Sequence, residues 1–323
     1  MMSPMISVVI PCFRVRNFIL KVIAGIGHEV SRIYVVDDCC PERSGDYVEE
    51  NCKDKRVTVI RNSDNQGVGG AVMAGYKVAI ADGADVIVKI DGDGQMDPGL
   101  IMGFVSPILS GEADYAKGNR FFDLEEIRAM PKMRIFGNAV LSFITKFSSG
   151  YWNIFDPTNG YTAIHRDVAM HLPFEKISRS YFFETDMLFR LNTIRAVVVD
   201  VPMDARYGEE VSNLKYSRVL GEFLWKNTIN FSKRVFYNYY LRDMSIASIE
   251  LPLGLGMLIF GLCFGVFHWF DTMQTGTVNS AGTVMLSALP LITGMQLLLA
   301  FISQDIRDIP KRSISRKHLY KLQ

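Results

Sequence analysis

Two long apolar stretches in the C-terminal part of the chain constrain its fold most strongly. They lie at about residues 246–270 and 281–302, within a segment that has no Lys or Arg between Arg242 and Arg307. About 20 apolar residues are enough for a helix to cross a bilayer, and both stretches are apolar on all sides. We therefore expect two transmembrane helices, with two buried core helices of a globular protein as the alternative.

Basic residues on both sides of these stretches predict their orientation. The connector at 271–280 has no basic residue, whereas the two flanks contain Lys215, Arg218, Lys226, Lys233, Arg234, Arg242, Arg307, Lys311, Arg312, Arg316, Lys317 and Lys321. The positive-inside rule places both flanks, and the large preceding domain, in the cytoplasm. The opening "MMSPMISVVIPCF" lacks the pattern of a cleavable signal peptide. We expect a multi-pass protein of the inner, cytoplasmic membrane.

Strand-like and helix-like runs alternate over the first part of the chain. The strand-like runs are "MISVVIP", "RIYVVDD", "RVTVIRN", "DVIVKID", "ADYAKGNRF" and "AVVVDVP", and helical patterns follow the first three and recur near 131–147 and 183–191. Continuous apolar strands separated by helices predict an α/β fold with a mainly parallel sheet covered on both faces. Such sheets bind ligands at the carboxyl ends of their strands.

The pattern divides the chain into four segments. We expect an α/β domain at 1–214, an amphipathic juxtamembrane helix at 215–243, the two transmembrane helices within 244–304 and a basic cytoplasmic tail at 305–323. The juxtamembrane segment mixes apolar and basic positions, which favours a helix lying on the membrane surface. An ordinary amphipathic helix packed on the domain is the alternative.

The stretch "VKIDGDGQMDP" places three carboxylates directly after an apolar run. One interpretation is a solvated turn, and the other is a bound cation that removes the repulsion between the carboxylates. A calcium loop of the EF-hand type is excluded because Met96 and Met102 stand where that loop needs Gly and Glu. Asp91, Asp93 and Gln95 instead suit Mg²⁺ or Mn²⁺, which complete their coordination with water and substrate phosphates.

The motifs together resemble a known family. The order "VVIPCF", "YVVDD", "NQGVGGA" and "KIDGDGQ" resembles the family 2 glycosyltransferases, which have the Rossmann-like GT-A fold. With "KGNRF", a later Arg and two apolar stretches, nearly the whole chain is similar to the polyprenyl-phosphate glycosyltransferases, the dolichol-phosphate-mannose synthase and GtrB group. Each motif is weak by itself, whereas their order and spacing are specific.

The resemblance implies a donor site for a nucleotide-sugar. Its residues are Asp91, Asp93 and Gln95 for the metal, Pro11 and Asp37 or Asp38 for the base and ribose, and Arg206 and Lys215 for the donor phosphates. The chain has Pro-Cys-Phe-Arg-Val where the family commonly has Pro-x-Tyr-Asn-Glu, which leaves the nucleotide, UDP or GDP, open. The glycines of "NQGVGGA" fit either phosphate-binding amides or close helix packing.

The resemblance also implies an acceptor site. Arg120 and Arg134 match arginines that bind the lipid phosphate, a task suited to the planar guanidinium group. Asp156 matches an acidic residue near the acceptor and is expected, with Asp93, to be catalytic, as a base or as a group that orients others. A phosphate acceptor is already anionic near neutral pH, so it requires little base strength.

The implied activity is inverting transfer of a sugar from a nucleotide to polyprenyl phosphate, undecaprenyl or dolichyl, at the cytoplasmic face. Glucose from UDP-glucose is the first choice, and mannose from GDP-mannose is the alternative. A processive polysaccharide synthase would carry a Gln-x-x-Arg-Trp motif and more transmembrane helices, and this chain has neither. A membrane-anchored nucleotide-binding scaffold without catalytic activity is a further alternative. The expected partners are a second copy of the chain, a flippase and a downstream transferase of lipopolysaccharide or cell-surface glycan synthesis, and no nucleic acid.

Overall fold

The chain, in a computed structural model, divides into two compact units. Unit 1 comprises Met1–Phe231 and Pro310–Gln323, and unit 2 comprises Ser232–Ile309. The structure describes residues 3–122, 132–204 and 216–319, with the backbone alone at 133–134, 216–220 and 317–319.

Seven strands in the described part of unit 1 form one mixed sheet. They are β1 (Ile6–Cys12), β2 (Val30–Asp37), β3 (Val57–Arg61), β4 (Val86–Lys89), β5 (Tyr115–Asn119), β6 (Thr162–His165) and β7 (Val198–Pro202). Their order across the sheet is β3-β2-β1-β4-β6-β5-β7. Strand β6 runs antiparallel to β4 and β5, and all other neighbours are parallel. The expected mainly parallel α/β sheet is confirmed, with β6 as its one reversed strand among those described.

Burial explains why the central strands are continuously apolar. Every residue of β4 is buried, and β1 is buried at all positions except Pro11, whereas edge strand β3 is only partly covered. The parallel register pairs Cys12 with Asp37 and Val9 with Lys89. Because parallel strands in this register end at the same edge of the sheet, the polar residues that follow β1, β2 and β4 are brought to one side of the domain.

Helices connect and cover these strands. In chain order they are α1 (Ile19–Ala24), α2 (Ser44–Asn51), α3 (Gly67–Ala81), α4 (Ile101–Leu109), α5 (Lys132–Ser149), α6 (Arg166–Met170), α7 (Phe183–Thr193), α8 (Tyr216–Phe236), α9 (Ala247–Thr275), α10 (Ala281–Arg307) and α11 (Ile314–Leu319). Short 3₁₀ helices lie at Pro98–Leu100 and Phe174–Lys176, and α8 continues as a π-helix over Tyr237–Arg242.

The part of α8 up to Phe231 belongs to unit 1, and one of its faces packs on other helices of that unit. Asn227 hydrogen-bonds Ser148, and the Asn230 amide donates to Asp186 at 3.1 Å. Both asparagines are buried, whereas Trp225 of the same helix is exposed. The sequence left open whether this segment packs on the domain, and the buried face of the helix does so. A position on the membrane surface stays a prediction for the exposed face.

Helices α9 and α10 form a hairpin in unit 2, and each is long and apolar enough to cross a membrane. Glycines allow their backbones to approach closely. A Cβ added to Gly261 would lie 2.9 Å from the Ser287 carbonyl oxygen, and one added to Gly294 would lie 2.8 Å from the Gly254 carbonyl oxygen. The Ser287 hydroxyl donates to the Gly261 carbonyl at 3.0 Å. Small residues and hydroxyl hydrogen bonds at the contact are typical of helix pairs in lipid.

A buried ion pair lies within unit 2. The Arg234 guanidinium donates to both oxygens of Asp305 at 2.6 and 3.0 Å, and the Tyr239 hydroxyl donates to Asp305 at 2.7 Å. These contacts join the end of α8 and the π-helix to the last turns of α10. Since an unpaired charge in this position would be costly, the three side chains fix the two ends of unit 2 to one another.

The chain returns to unit 1 after the second apolar helix. The sequence predicts a basic tail from residue 305, whereas α10 continues to Arg307 and residues from Pro310 onward belong to unit 1. The buried carboxylate of Asp114 accepts hydrogen bonds from the backbone N–H groups of Ile314 at 2.9 Å and Ser315 at 3.0 Å. The tail is therefore a structural part of the domain, which its basic composition does not reveal.

Candidate active site

The carboxylates at the end of β2 serve the local fold. Asp37 accepts one hydrogen bond on each oxygen, from the N–H groups of Cys40 at 2.8 Å and Gly45 at 2.7 Å. Asp38 accepts from the Asn62 side chain at 2.7 Å and from the Gln66 N–H at 2.9 Å, both on Oδ1. Because both oxygens of Asp37 hold the following loop, Asp38 is the better placed of the two to receive a further hydrogen bond.

Pro11 lies in β1, one residue before its end, and pairs with Val36 of β2. Proline has no N–H to donate, and Pro11 is the partly exposed position of an otherwise buried strand. Pro11 therefore lies next to the end of β2, where Asp37 and Asp38 stand. Its role in a nucleoside site stays a prediction.

The predicted metal motif forms a tight turn after β4. Gly94 has φ +78°, a conformation that glycine adopts without strain, and the Gln95 N–H donates to Asp93 Oδ1 at 2.9 Å. Asp91 Oδ1 lies 2.6 Å from the Nζ atom of Lys89. Asp91, Asp93 and Gln95 are all partly exposed at this turn. They lie at the carboxyl end of β4, the edge of the sheet at which folds of this kind bind ligands.

The donor set of this turn fits a divalent cation that shares its coordination with a substrate. Within 3–122, 132–204 and 216–319, no three or more His, Cys, Asp or Glu side chains are grouped to hold a metal. The turn itself offers two carboxylates and one amide oxygen. Mg²⁺ and Mn²⁺ accept one or two protein carboxylates and take their other ligands from water and phosphates. A structural zinc site or a calcium cage would need more protein ligands.

Arg120 and Asp156 form a bidentate ion pair. The guanidinium donates from Nε to Asp156 Oδ2 at 2.7 Å and from a terminal nitrogen to Oδ1 at 2.9 Å. Asp156 is 1% exposed, whereas the Arg120 side chain is 24% exposed. Asn159 also donates to Asp156 Oδ2, at 3.3 Å. The sequence predicts both residues in the acceptor site, and the structure brings them together with the arginine on the outer side.

Other predicted residues lie outside the described parts. Arg206 and Lys215 fall between the described ranges, and Arg134 lies in α5 at a position where only the backbone is described. Their assignments to the donor phosphates and the lipid phosphate stay predictions.

The glycine-rich loop packs closely against the domain. The Gly69 N–H donates to the Arg179 carbonyl at 3.0 Å, and a Cβ on Gly69 would lie 2.7 Å from the Cβ of Phe183. The Gln66 N–H is bound to Asp38 and the Gly67 N–H to Asn65. Three amides of the loop are thus used inside the protein, which favours packing over phosphate binding as the reason for its glycines.

Burial shifts the pKa values of three ionisable groups close to the candidate site, and the sequence patterns assign no role to two of them, Lys117 and Asp200. It raises the pKa of Glu184 to about 7, an effect that the charges of Lys89 and Lys117 partly offset. It lowers the pKa of Lys117 to about 8, partly offset by Glu184 and Asp156. It raises the pKa of Asp200 to about 6. Charged residues within apolar strands, as in "IVKID" and "YAKGN", are the sequence feature that could have revealed the two lysines.

Comparison with known families agrees with this geometry. The family described as "Glycosyl transferase family 2" matches residues 7–172, which is half of the chain and extends from within β1 to beyond β6, including the acidic turn. The chain belongs to glycosyl transferase family 2. It is accordingly a glycosyltransferase, and the expected family and enzyme class are confirmed.

Curated relatives extend the match beyond the family region. The chain is 27% identical over 223 residues to a UDP-N-acetylglucosamine–dolichyl-phosphate N-acetylglucosaminyltransferase of Methanococcus voltae, covering 65% of this chain and 88% of the relative. It is 29% identical over 175 residues to an undecaprenyl-phosphate mannosyltransferase of Micrococcus luteus, covering 54% of this chain and 71% of the relative.

Solved structures show the same fold. Glucosyl-3-phosphoglycerate synthase from Mycobacterium tuberculosis, crystallised with Mn²⁺, UDP and glucosyl-3-phosphoglycerate, superposes with a TM-score of 0.54 at 18% identity. The match covers 72% of this chain and 80% of that one. At this identity the likeness establishes the GT-A fold of the glycosyltransferase and nothing about its substrate.

Proposed function

We propose that this glycosyltransferase transfers a sugar from a nucleotide-sugar to a polyprenyl phosphate at the cytoplasmic face of a membrane. The observation that carries the proposal is the presence, in one chain, of a family 2 domain and two apolar helices long enough to span a bilayer. A lipid acceptor explains why the two occur together. Relatives named for dolichyl-phosphate and undecaprenyl-phosphate transfer support this acceptor.

The donor occupies the carboxyl ends of β1, β2 and β4 in this proposal. Pro11 and Asp38 contact the nucleoside, with Asp37 holding the loop beneath them. Asp91, Asp93 and Gln95 hold Mg²⁺ or Mn²⁺. The metal, when bound, neutralises the charge that develops on the diphosphate as it leaves. Arg206 and Lys215 are assigned to the donor phosphates on the resemblance alone.

The acceptor phosphate binds on the outer side of Arg120, together with Arg134. Asp156 already accepts two hydrogen bonds from the Arg120 guanidinium and one from Asn159. A buried carboxylate engaged in this way orients the arginine, so we assign Asp156 a positioning role. It does not need to act as a base because the phosphate is already ionised near neutral pH.

The reaction is a single displacement. An oxygen of the lipid phosphate attacks the anomeric carbon of the sugar from the face opposite the diphosphate. The new carbon–oxygen bond forms as the bond from that carbon to the β-phosphate oxygen breaks, and both electrons of the broken bond leave with the nucleoside diphosphate. The anomeric configuration is therefore inverted. No proton has to be removed from the acceptor at neutral pH.

The sugar is proposed as glucose from UDP-glucose, with mannose from GDP-mannose as the alternative. The relatives are named for N-acetylglucosamine and mannose transfer, so the test must include those donors. The membrane orientation follows from the basic flanks of the two helices, with the family 2 domain in the cytoplasm. A homo-oligomer, a flippase and a downstream transferase of cell-surface glycan synthesis complete the proposed setting.

The test is sugar transfer by the full-length protein in lipid nanodiscs. Labelled UDP-glucose, UDP-N-acetylglucosamine and GDP-mannose are supplied in turn with Mn²⁺ or Mg²⁺, and with undecaprenyl or dolichyl phosphate. One donor should label the lipid fraction, and Asp93→Ala should abolish the label while the protein remains folded by circular dichroism. Absence of lipid-linked product with every donor and both acceptors would overturn the proposed acceptor.

A further inference from the structure

A buried lysine stands directly behind the metal motif. Lys89, the last residue of β4, is 1% exposed, and its Nζ atom lies 2.6 Å from Asp91 Oδ1. The same ammonium group lies 5.5 Å from the centre of the Phe183 ring, which favours a cation. Lysine is rarely buried without a partner, and Asp91 supplies one at contact distance.

The fold closely surrounds this pair. A Cβ added to Gly160 would overlap the Nζ atom of Lys89 and would lie 2.6 Å from Asp91 Oδ2. The backbone at residue 160 therefore passes directly over the two charged groups. With Phe183 and the backbone of Gly160 close to it, the Lys89 ammonium group is enclosed at contact distance from Asp91.

The pair changes the charge that an arriving ligand meets. Of the two motif carboxylates, Asp91 is matched by the Lys89 ammonium at contact distance, so the positive charge opposes a metal cation at the motif. The same positive charge attracts a diphosphate. Lys89 thus acts with opposite sign on the two ligands that the site has to bring together.

We propose that Lys89 is a positioning residue that holds Asp91 in place and offsets its charge, which makes metal binding weak until the donor diphosphate is present. The inference rests on the proposed function in taking the donor to be a nucleoside diphosphate sugar. The site therefore binds the metal together with the diphosphate, and it binds a divalent cation alone only weakly. Neutralising Lys89 removes this preference.

Lys89→Met in the full-length protein tests the proposal through binding. Mn²⁺ alone is titrated and followed by electron paramagnetic resonance, and UDP and GDP are titrated calorimetrically in the presence of EDTA. The affinity of the variant for Mn²⁺ alone should be at least about fivefold higher than that of the wild type. Its affinity, without metal, for whichever of UDP and GDP the wild type binds should be at least about fivefold lower. A merely structural role for Lys89 would weaken both ligands together.

Lys77→Met is the matched control because it removes the same charge from an exposed ion pair with Glu175. It should change neither affinity by more than about twofold. If Lys89→Met does not fold, Lys89→Gln is used in the same titrations, since glutamine keeps an N–H donor for Asp91 without the charge. The same opposite shifts are expected.

Two results have distinct meanings. Shifts of both ligands in the same direction, or no shift of either in a folded variant, would overturn the role of Lys89. Failure of the wild type to bind UDP or GDP, with or without Mn²⁺, would instead overturn the proposed donor. In that case the titration of Mn²⁺ alone still tests whether Lys89 opposes the metal.

Discussion

Asp156 illustrates how the contacts of a residue define its role. From the sequence it is one acidic residue near the acceptor, open to interpretation as a base or as an orienting group. In the structure both of its oxygens accept hydrogen bonds from Arg120, and the carboxylate is buried. If Asp156 acts only through Arg120, replacing Asp156 should not lower the activity further once Arg120 has been removed. This expectation tests the assignment directly.

We expect Asp156→Asn to lower kcat/KM for the lipid acceptor by about 100-fold, because a misplaced arginine no longer aligns the acceptor phosphate. Arg120→Ala should cost a similar factor, and the double variant should be no worse than either single variant. UDP and GDP affinities should stay unchanged, with Asp64→Asn in an exposed loop as the control. Multiplicative losses in the double variant would show that Asp156 acts independently of Arg120.

Glu184 gives a second prediction at this scale, through its pKa of about 7. A carboxyl with a folded-state pKa above its unfolded value loses stabilisation as pH rises from about 4.5 to about 7. Replacement by neutral glutamine removes this loss. The melting temperature of Glu184→Gln minus that of the wild type should therefore increase between pH 5 and pH 8, for a free-energy difference of up to about 3 kcal/mol. A difference that is constant with pH would contradict the raised pKa.

Among the elements, the hairpin of α9 and α10 shows why composition alone describes a pair of long apolar helices incompletely. Apolar residues determine that each helix can lie in lipid, whereas the small residues at the contact determine how closely the two pack. Lipid tails are as apolar as leucine, so apolar side chains do not by themselves drive helices together. The close approach at Gly261 and Gly294 supplies the packing contacts instead.

Gly261→Leu should separate the two helices, because its side chain would overlap the Ser287 carbonyl and Leu291. We expect a fall in the melting temperature of the detergent-solubilised protein equivalent to about 1–3 kcal/mol. Gly256→Leu is the matched control, since no atom lies within 4 Å of a Cβ at that position. Equal effects of the two substitutions would show that the contact at Gly261 contributes nothing specific.

For the molecule as a whole, the C-terminal segment that follows the apolar hairpin is part of unit 1. A truncation that removes the hairpin therefore also removes a part of that unit. Truncation after residue 243 deletes the hairpin together with the backbone donors that bind Asp114. This carboxylate is buried and accepts from Ile314, Ser315 and the Val197 N–H. Loss of two charge-assisted donors leaves a buried charge less well satisfied, which destabilises the domain.

Two truncated proteins separate the hairpin from the tail. Residues 1–243 joined to 310–323 by a flexible linker of about 20 Gly and Ser residues should melt at least about 4 °C higher than residues 1–243 alone. Ile314→Pro in the linked protein removes one N–H donor to Asp114 and should lower the melting temperature again. Equal melting temperatures for all three proteins would mean that the tail does not stabilise unit 1.

Much of the fold could be predicted because its determinants are local. The apolar runs at β1, β2 and β4 are continuous, since strands covered on both faces bury every side chain. The reversed direction of β6 could not be predicted, because it depends on which existing strands leave an edge free for residues 162–165. The packing of the first part of α8 within unit 1 could not be predicted either, since one amphipathic pattern fits both a membrane surface and a protein surface.

The site divides in the same way. The sequence by itself determined the α/β class, the acidic turn after β4, the family and the two apolar helices, because each of these depends on neighbouring residues or on a fixed spacing. The tertiary structure alone decided the partners of the charged groups. Arg120 reaches Asp156, and Asp114 receives the returning tail. Such pairs form because a buried charge must find an opposite charge or a hydrogen-bond donor, and residues far apart in the sequence can supply it only after the chain has folded.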